Sequence, residues 1–166
     1  PGHAHCDMLS FELFAHGNPL IVDTGISTYE VCDRRHHERS TAAHNTVQID
    51  DKEQSEIWSA FRVGRRARIT QRVVENDKVV AECLSYVNHR HKREFSFADG
   101  QIILSDTTHH NEKALAFLHF HPDVQIVQDE WGLTVDRIKI HFEGVISVEI
   151  KDYQYAPEFH KLLTAK

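Results

Sequence analysis

The strongest constraint on the fold is a two-residue hydrophobic period that returns after nearly every turn signal. Leu9, Phe11, Leu13 and Ala15 alternate with Ser10, Glu12 and His16, the pattern of a strand with one buried face. Gly17-Asn18-Pro19 turns the chain into the apolar run Leu20-Ile21-Val22. Ala67, Ile69 and Val73 are interleaved with Arg66, Arg68, Thr70 and Arg72, and a polar connection at 75–78 leads into a second run at 79–84. Phe95 and Phe97 alternate with Glu94 and Ser96 ahead of Asp99-Gly100, a hairpin signal. Residues 114–120 are apolar on both faces and read as a central strand, and Trp131-Gly132 is one of several turns that punctuate the last strands. Only 157–163 could form a short helix. The prediction is an all-β chain: a single antiparallel β-sandwich domain over 1–166, of about ten to thirteen strands, with no substantial helix.

A chain of 166 residues can bury a sizeable core. Its net charge of −6 argues against a nucleic-acid binder, and no apolar run is long enough for a membrane span. Cys6, Cys32 and Cys83 lack metal-type spacing and make a disulfide framework improbable. The opening on Pro1, without an initiator Met, reads as a piece of something longer. Fourteen histidines are unusual; exposed imidazoles on strands would account for His89, His91, His109, His110, His141 and His160.

The chemistry concentrates in the first third. His5, Asp23 and His44 are donors that suit a divalent metal, and three ligands leave a position for water or substrate. Spacing alone does not assemble them. A simple hairpin at Gly17-Asn18 sets Asp23 opposite Glu12 and His5 near Tyr29, so convergence requires a bend or bulge before Leu9. Asp23 could equally cap an Asx-type turn with Thr24-Gly25. His3 can hold or move a proton near neutral pH. Arg34, Arg35 and Arg39, and separately Arg62, Arg65, Arg66, Arg68 and Arg72, could steer an acidic ligand; a solvated strand face is the simpler account of Arg66, Arg68 and Arg72.

Several ordered blocks carry a resemblance: Gly2-His3-Ala4-His5-Cys6-Asp7, Leu9-Ser10-Phe11-Glu12-Leu13, Leu20-Ile21-Val22-Asp23-Thr24-Gly25, Arg39-Ser40-Thr41-Ala42-Ala43-His44-Asn45-Thr46-Val47, and the continuation through 49–62. Together, over roughly 2–66, they resemble the heparinase II/III family of bacterial polysaccharide lyases. The resemblance implies zinc held by His5, Asp23 and His44, ordering the site more than doing chemistry. It implies His3 and, with a shorter preceding loop than in many relatives, Tyr29 as proton-transfer residues in β-elimination of an acidic polysaccharide. Arg39, five residues before His44, would bind substrate acid groups or brace its loop. A helical toroid earlier in the same parent chain would supply the principal catalytic Tyr, so the 166 residues would hold half an active site; a periplasmic or envelope location is implied too. Gln54, Glu56 and Trp58 match family positions but are kept off the site, Trp58 being expected in the core. The alternatives are a cupin-like metal enzyme using His3, His5 and Glu12, and a non-catalytic carbohydrate-binding or structural sandwich.

Overall fold

Tight turns with left-handed backbone set the architecture. Asp99 and Gly100 both have positive φ, 51° and 73°, as a two-residue type I′ hairpin requires. They join β8 (Arg90–Ala98) to β9 (Gln101–Thr108) in a four-stranded antiparallel meander that begins with β6 (Arg68–Val74) and β7 (Lys78–Leu84). His16 and Gly17, at 52° and 82°, make the equivalent turn between β1 (Leu13–Ala15) and β2 (Asn18–Ile21). The computed structural model describes residues 2–109, 113–130 and 132–166; His110 and Trp131, placed above on an exposed strand and in a turn, lie outside them.

Fifteen strands occur among the described residues, several only two or three residues long, against the ten to thirteen expected. The short pairs are β3 (Val47–Ile49) with β10 (Ala114–Ala116), β4 (Ile57–Trp58) with β5 (Arg62–Val63), and β14 (Tyr153–Tyr155) with β15 (Leu163–Ala165). A three-stranded sheet holds β11 (Ile126–Asp129), β12 (Gly132–Val135) and β13 (Ile138–His141). All of these pairings are antiparallel, and the architecture is the predicted β-sandwich. Leu20, Ile21, Phe120, Leu133 and Val135 form the buried core cluster, with Phe11, Leu13 and Ile140 packed against it.

Four expectations are corrected. The helix, α1, is Asp33–Arg39, whereas 157–163 forms turns, with His160 left-handed at φ 64° and Leu163 already in β15. Its buried residues are Arg35, Glu38 and Arg39, so there is no apolar stripe to read. The first strand is shorter than its alternation because Leu9 is left-handed at φ 62°. Residues 114–120 do not make a central strand: β10 is exposed, and the Phe117 and Phe120 amides donate to Thr46 and Lys166. His91, expected on the surface, is buried and hydrogen-bonded to Asp106 at 2.7 Å. As expected, Arg66, Arg68 and Arg72 are exposed. No helix among the described residues is long and apolar enough to cross a membrane.

Arg93 ties the meander to the first third of the chain. Its Nε and Nη2 donate to Asp106 at 2.7 and 2.8 Å across the β8–β9 register, and Nη1 donates to the carbonyls of Leu9 and Asn45. Burial alone would raise the Asp106 pKa, but the hydrogen bonds from Arg93 and His91 outweigh it and hold the carboxyl at about 2, below its ordinary 3.8. A depressed folded-state pKa contributes stability above the unfolded value, and that contribution is lost as pH falls through the folded one. The loss for Asp106 amounts to about 2 kcal/mol between pH 3.8 and about 2. Urea unfolding of Asp106→Asn across this window is expected to show a flattened acid limb, together with lower stability at neutral pH.

Candidate functional site

Three segments meet where β2 runs out. Beyond Ile21 the Val22 amide donates to the His119 carbonyl, and Asp23 follows. α1 is succeeded by a 3-10 turn, Thr41–Ala43, whose last amide bond (His44 N–H to Thr41) delivers His44 into the interior. The N-terminal segment is clamped through the Cys6 amide to the Arg39 carbonyl. The register shift in the β1–β2 ladder falls between Leu13 and Phe14, and the left-handed Leu9 supplies a further bend; together they do what the simple hairpin could not.

His5, Asp23 and His44 are thereby brought together. His44 Nδ1 lies 2.6 Å from Asp23 Oδ2, and the His5 and His44 rings are 5.2 Å apart. Asp23 Oδ1 accepts the Gly25 amide at 3.0 Å, so the Asx turn and the convergence coexist. Gly25 has φ 79°, and a side chain there would run into the Ala156 carbonyl, which makes this turn a glycine position. Burial works to raise the Asp23 pKa, and the His44 hydrogen bond more than offsets it. Burial, then the charges of His44 and Arg35, pull His5 down to about 4, so its imidazole is unprotonated at neutral pH.

Arg35 Nη1 lies 3.3 Å from His5 Nε2. A guanidinium only donates, so His5 Nε2 is the acceptor and the ring proton is on Nδ1. Likewise the Asp23 carboxylate accepts from His44 Nδ1, and His44 Nε2 is left buried without a hydrogen-bond partner. The donor set therefore suits a divalent ion in type. It is not a ready-made cage: among the described residues no group of three His, Cys, Asp or Glu side chains is arranged to hold a metal.

His3 and Tyr29 are also neighbours. Both are exposed, and their rings meet edge-on at 5.5 Å beside Phe61. Arg39 is elsewhere. It is fully buried, and its guanidinium donates to the carbonyls of Ser59 at 2.8 Å, Arg62 at 3.1 Å and Ala4 at 3.3 Å. Of the two roles expected of Arg39, this geometry is a loop brace, because no donor is directed to solvent. Trp58 is exposed rather than core. Glu56 pairs with Arg65 on the surface.

Three residues named in the sequence but given no place at the site matter to it. Arg35 contacts both His5 and the Tyr29 ring; its position one helical turn before Arg39 was the available signal. Asn45, inside the His44 block, donates to the Phe11 and Val22 carbonyls at 2.9 Å each and accepts from the His119 amide. Gln54 is buried, accepting from the Met8 amide and donating to its carbonyl.

Fold and site together define a strand-rich domain with a histidine–carboxylate cluster at the edge of its core. Residues 1–165 match the family described as heparinase II/III-like, C-terminal, and the chain belongs to that family. A heparin-sulfate lyase of Bacteroides stercoris is 28% identical over 123 residues, 71% of this chain and 18% of that protein. Two solved structures share the fold over 98% of this chain and 27% of theirs: a mutant of the heparan sulfate lyase HepC from Pedobacter heparinus (TM-score 0.69, 20% identity) and a heparinase III gene product (0.71, 19%). The chain thus spans under a third of the length of these relatives.

Removing the brace should cost stability. Arg39→Ala is expected to lose on the order of 3 kcal/mol in chemical denaturation, since a fully buried side chain and its hydrogen bonds to three backbone carbonyls are lost at once. Arg39→Lys should recover little, because an ammonium cannot reproduce the guanidinium fork.

Proposed function

We propose that this chain is the metal-containing β-sandwich of a polysaccharide lyase that cleaves a uronic-acid-containing acidic polysaccharide by β-elimination, supplying part of the active site. The observation that carries this reading is the exposed His3–Tyr29 pair standing beside the His5–Asp23–His44 cluster in a chain of this family. The chain's likeness to a heparin-sulfate lyase and a heparan sulfate lyase supports a heparan-type glycosaminoglycan as substrate.

In β-elimination a base takes the proton α to the uronate carboxyl, that bonding pair becomes the new double bond, and the glycosidic C–O bond breaks. The leaving oxygen must then be protonated. His3 and Tyr29 are the groups of this chain for those transfers, exposed where a polymer can reach them and in contact with each other. The remaining machinery, including the main base and the group that neutralises the carboxylate, is assigned to a helical domain of the same parent protein. His5, Asp23 and His44 would hold zinc, whose charge would order the site. Support comes from the His44 Nε2 without a partner and from the unprotonated His5.

Metal analysis of the purified protein tests this. About one equivalent of zinc is expected in the wild type and in Glu12→Ala, and a loss in Asp23→Ala and His44→Ala. Retention by Asp23→Ala with loss in Glu12→Ala would favour the cupin-like arrangement instead. A second test concerns the missing half. The 166 residues alone are expected to show little or no lyase activity on heparan sulfate, while the parent protein is active and loses rate in His3→Ala; robust cleavage by the isolated chain would refute the division of labour.

A further inference from the structure

We infer that Tyr29, Phe61 and Phe159 form a stacking subsite for one sugar ring of the acidic substrate, presented from behind by Arg35 and Arg39. The inference rests on the lyase reading above and adds residues that it does not use.

The three rings are contiguous and open. Tyr29 lies 5.4 Å from Phe61 and 5.0 Å from Phe159, ring centre to ring centre, and His3 meets Phe61 at 5.4 Å. Their exposures are 41%, 40% and 45%. A folding chain gains nothing by leaving two phenylalanines together in water, so a clustered patch marks a binding surface.

The rings are also held. Phe61 sits in the loop between β4 and β5. There Arg39 donates to the Ser59 carbonyl and Arg35 donates to the Ala60 carbonyl at 3.2 Å. Ser59 is left-handed at φ 53° and Ala60 is buried, so the loop is anchored inward one residue before Phe61 turns out. Phe159 is fixed through the His160 amide, which donates to the Ser27 carbonyl at 3.1 Å. Backbone fixed in this way leaves only the ring rotamers to order on binding.

Size and charge select the occupant. Aromatic side chains bury 150–250 Å² each, so three rings at these exposures offer roughly 250 Å². A stable protein interface needs about 800 Å² per partner, so the smaller area suits a ring-sized ligand rather than a protein. The Arg35 guanidinium carbon lies 5.1 Å from the Tyr29 centroid and 5.6 Å from that of Phe61, and its Nη2 has no hydrogen-bond partner. A buried cation drawing on the ring electrons makes this a platform for a sugar carrying negative charge. Tyr29 then serves twice, as a proton-transfer group and as one wall of the subsite.

The test is steady-state kinetics of the parent protein on heparan sulfate, followed by the ultraviolet absorbance of the unsaturated uronate. Stacking made equally in ground and transition states acts on KM. Phe61→Ala and Phe159→Ala are each expected to raise KM about tenfold with kcat within about twofold of wild type. Phe61→Trp should restore KM and Phe61→Leu should not, because only the aromatic face is shared with phenylalanine. That pair also stands if Phe61→Ala folds poorly. An active wild type whose KM is unchanged in Phe61→Leu and Phe159→Leu would overturn the subsite while leaving the lyase reading intact. A parent protein that cleaves no uronic-acid polysaccharide would remove both.

Discussion

The candidate site of this molecule is held by buried guanidinium groups bonded to backbone carbonyls. Loops that carry chemistry cannot satisfy their polar backbone through strand ladders, and a buried carbonyl without a donor is costly. Arginine, with five donors in a fixed fork, can serve several carbonyls from one side chain. Arg39 gathers Ala4, Ser59 and Arg62, Arg35 takes Ala60, and Arg93 takes Leu9 and Asn45. Every one of these carbonyls lies in or beside the segments that place His3, His5, His44 and Phe61. The apolar core around Leu20, Phe120 and Val135 makes the sandwich; the arginines make the site.

Such an arrangement needs countercharges, and they are unevenly supplied. Arg93 has Asp106 on the opposite strand, a complete bidentate pair. Glu38, buried in α1, accepts from Ser27 and Arg34, which ties the segment after Asp23 to the helix, yet its second oxygen has no partner. Arg39 Nε and Arg35 Nη2 are also without acceptors. Unsatisfied buried groups are scarce in the rest of a well-packed protein and gather at functional sites. Among the described residues, four of six such atoms, on Arg35, Glu38, Arg39 and His44, lie on α1 or within five residues of its end.

This division explains what the sequence disclosed. Strands β7 to β9 and the Asp99-Gly100 turn were readable because period-two alternation and turn chemistry are local. The helix Asp33–Arg39 was not, since its buried face is Arg35, Glu38 and Arg39, and polar burial leaves no hydrophobic period. The exposed Trp58 and the buried His91 were misjudged for a related reason: residue type predicts burial on average, while a cross-strand Asp106 can take an imidazole inside. Convergence of His5, Asp23 and His44 depended on a register shift and a left-handed Leu9, and no spacing rule contains those. Residue chemistry named the trio as candidates and the family resemblance implied their convergence, but neither could foresee the placement of Arg35 between His5 and the aromatic patch.

That placement decides how a cation could be accommodated. His5 Nε2 spends its lone pair on Arg35, and Asp23 spends one oxygen on Gly25 and the other on His44. A divalent ion among these side chains would compete with the guanidinium for His5, whereas the Asp23 oxygens keep further lone pairs and the buried His44 Nε2 has no partner. Its affinity is therefore a difference between two satisfied arrangements, as for any site whose ligands have other partners. Because Arg35 also lies beside the rings of Tyr29 and Phe61, whatever draws it from His5 moves charge toward or away from the sugar platform. Under the proposed function, a metal ion and a stacked sugar would therefore share one buried neighbour, Arg35.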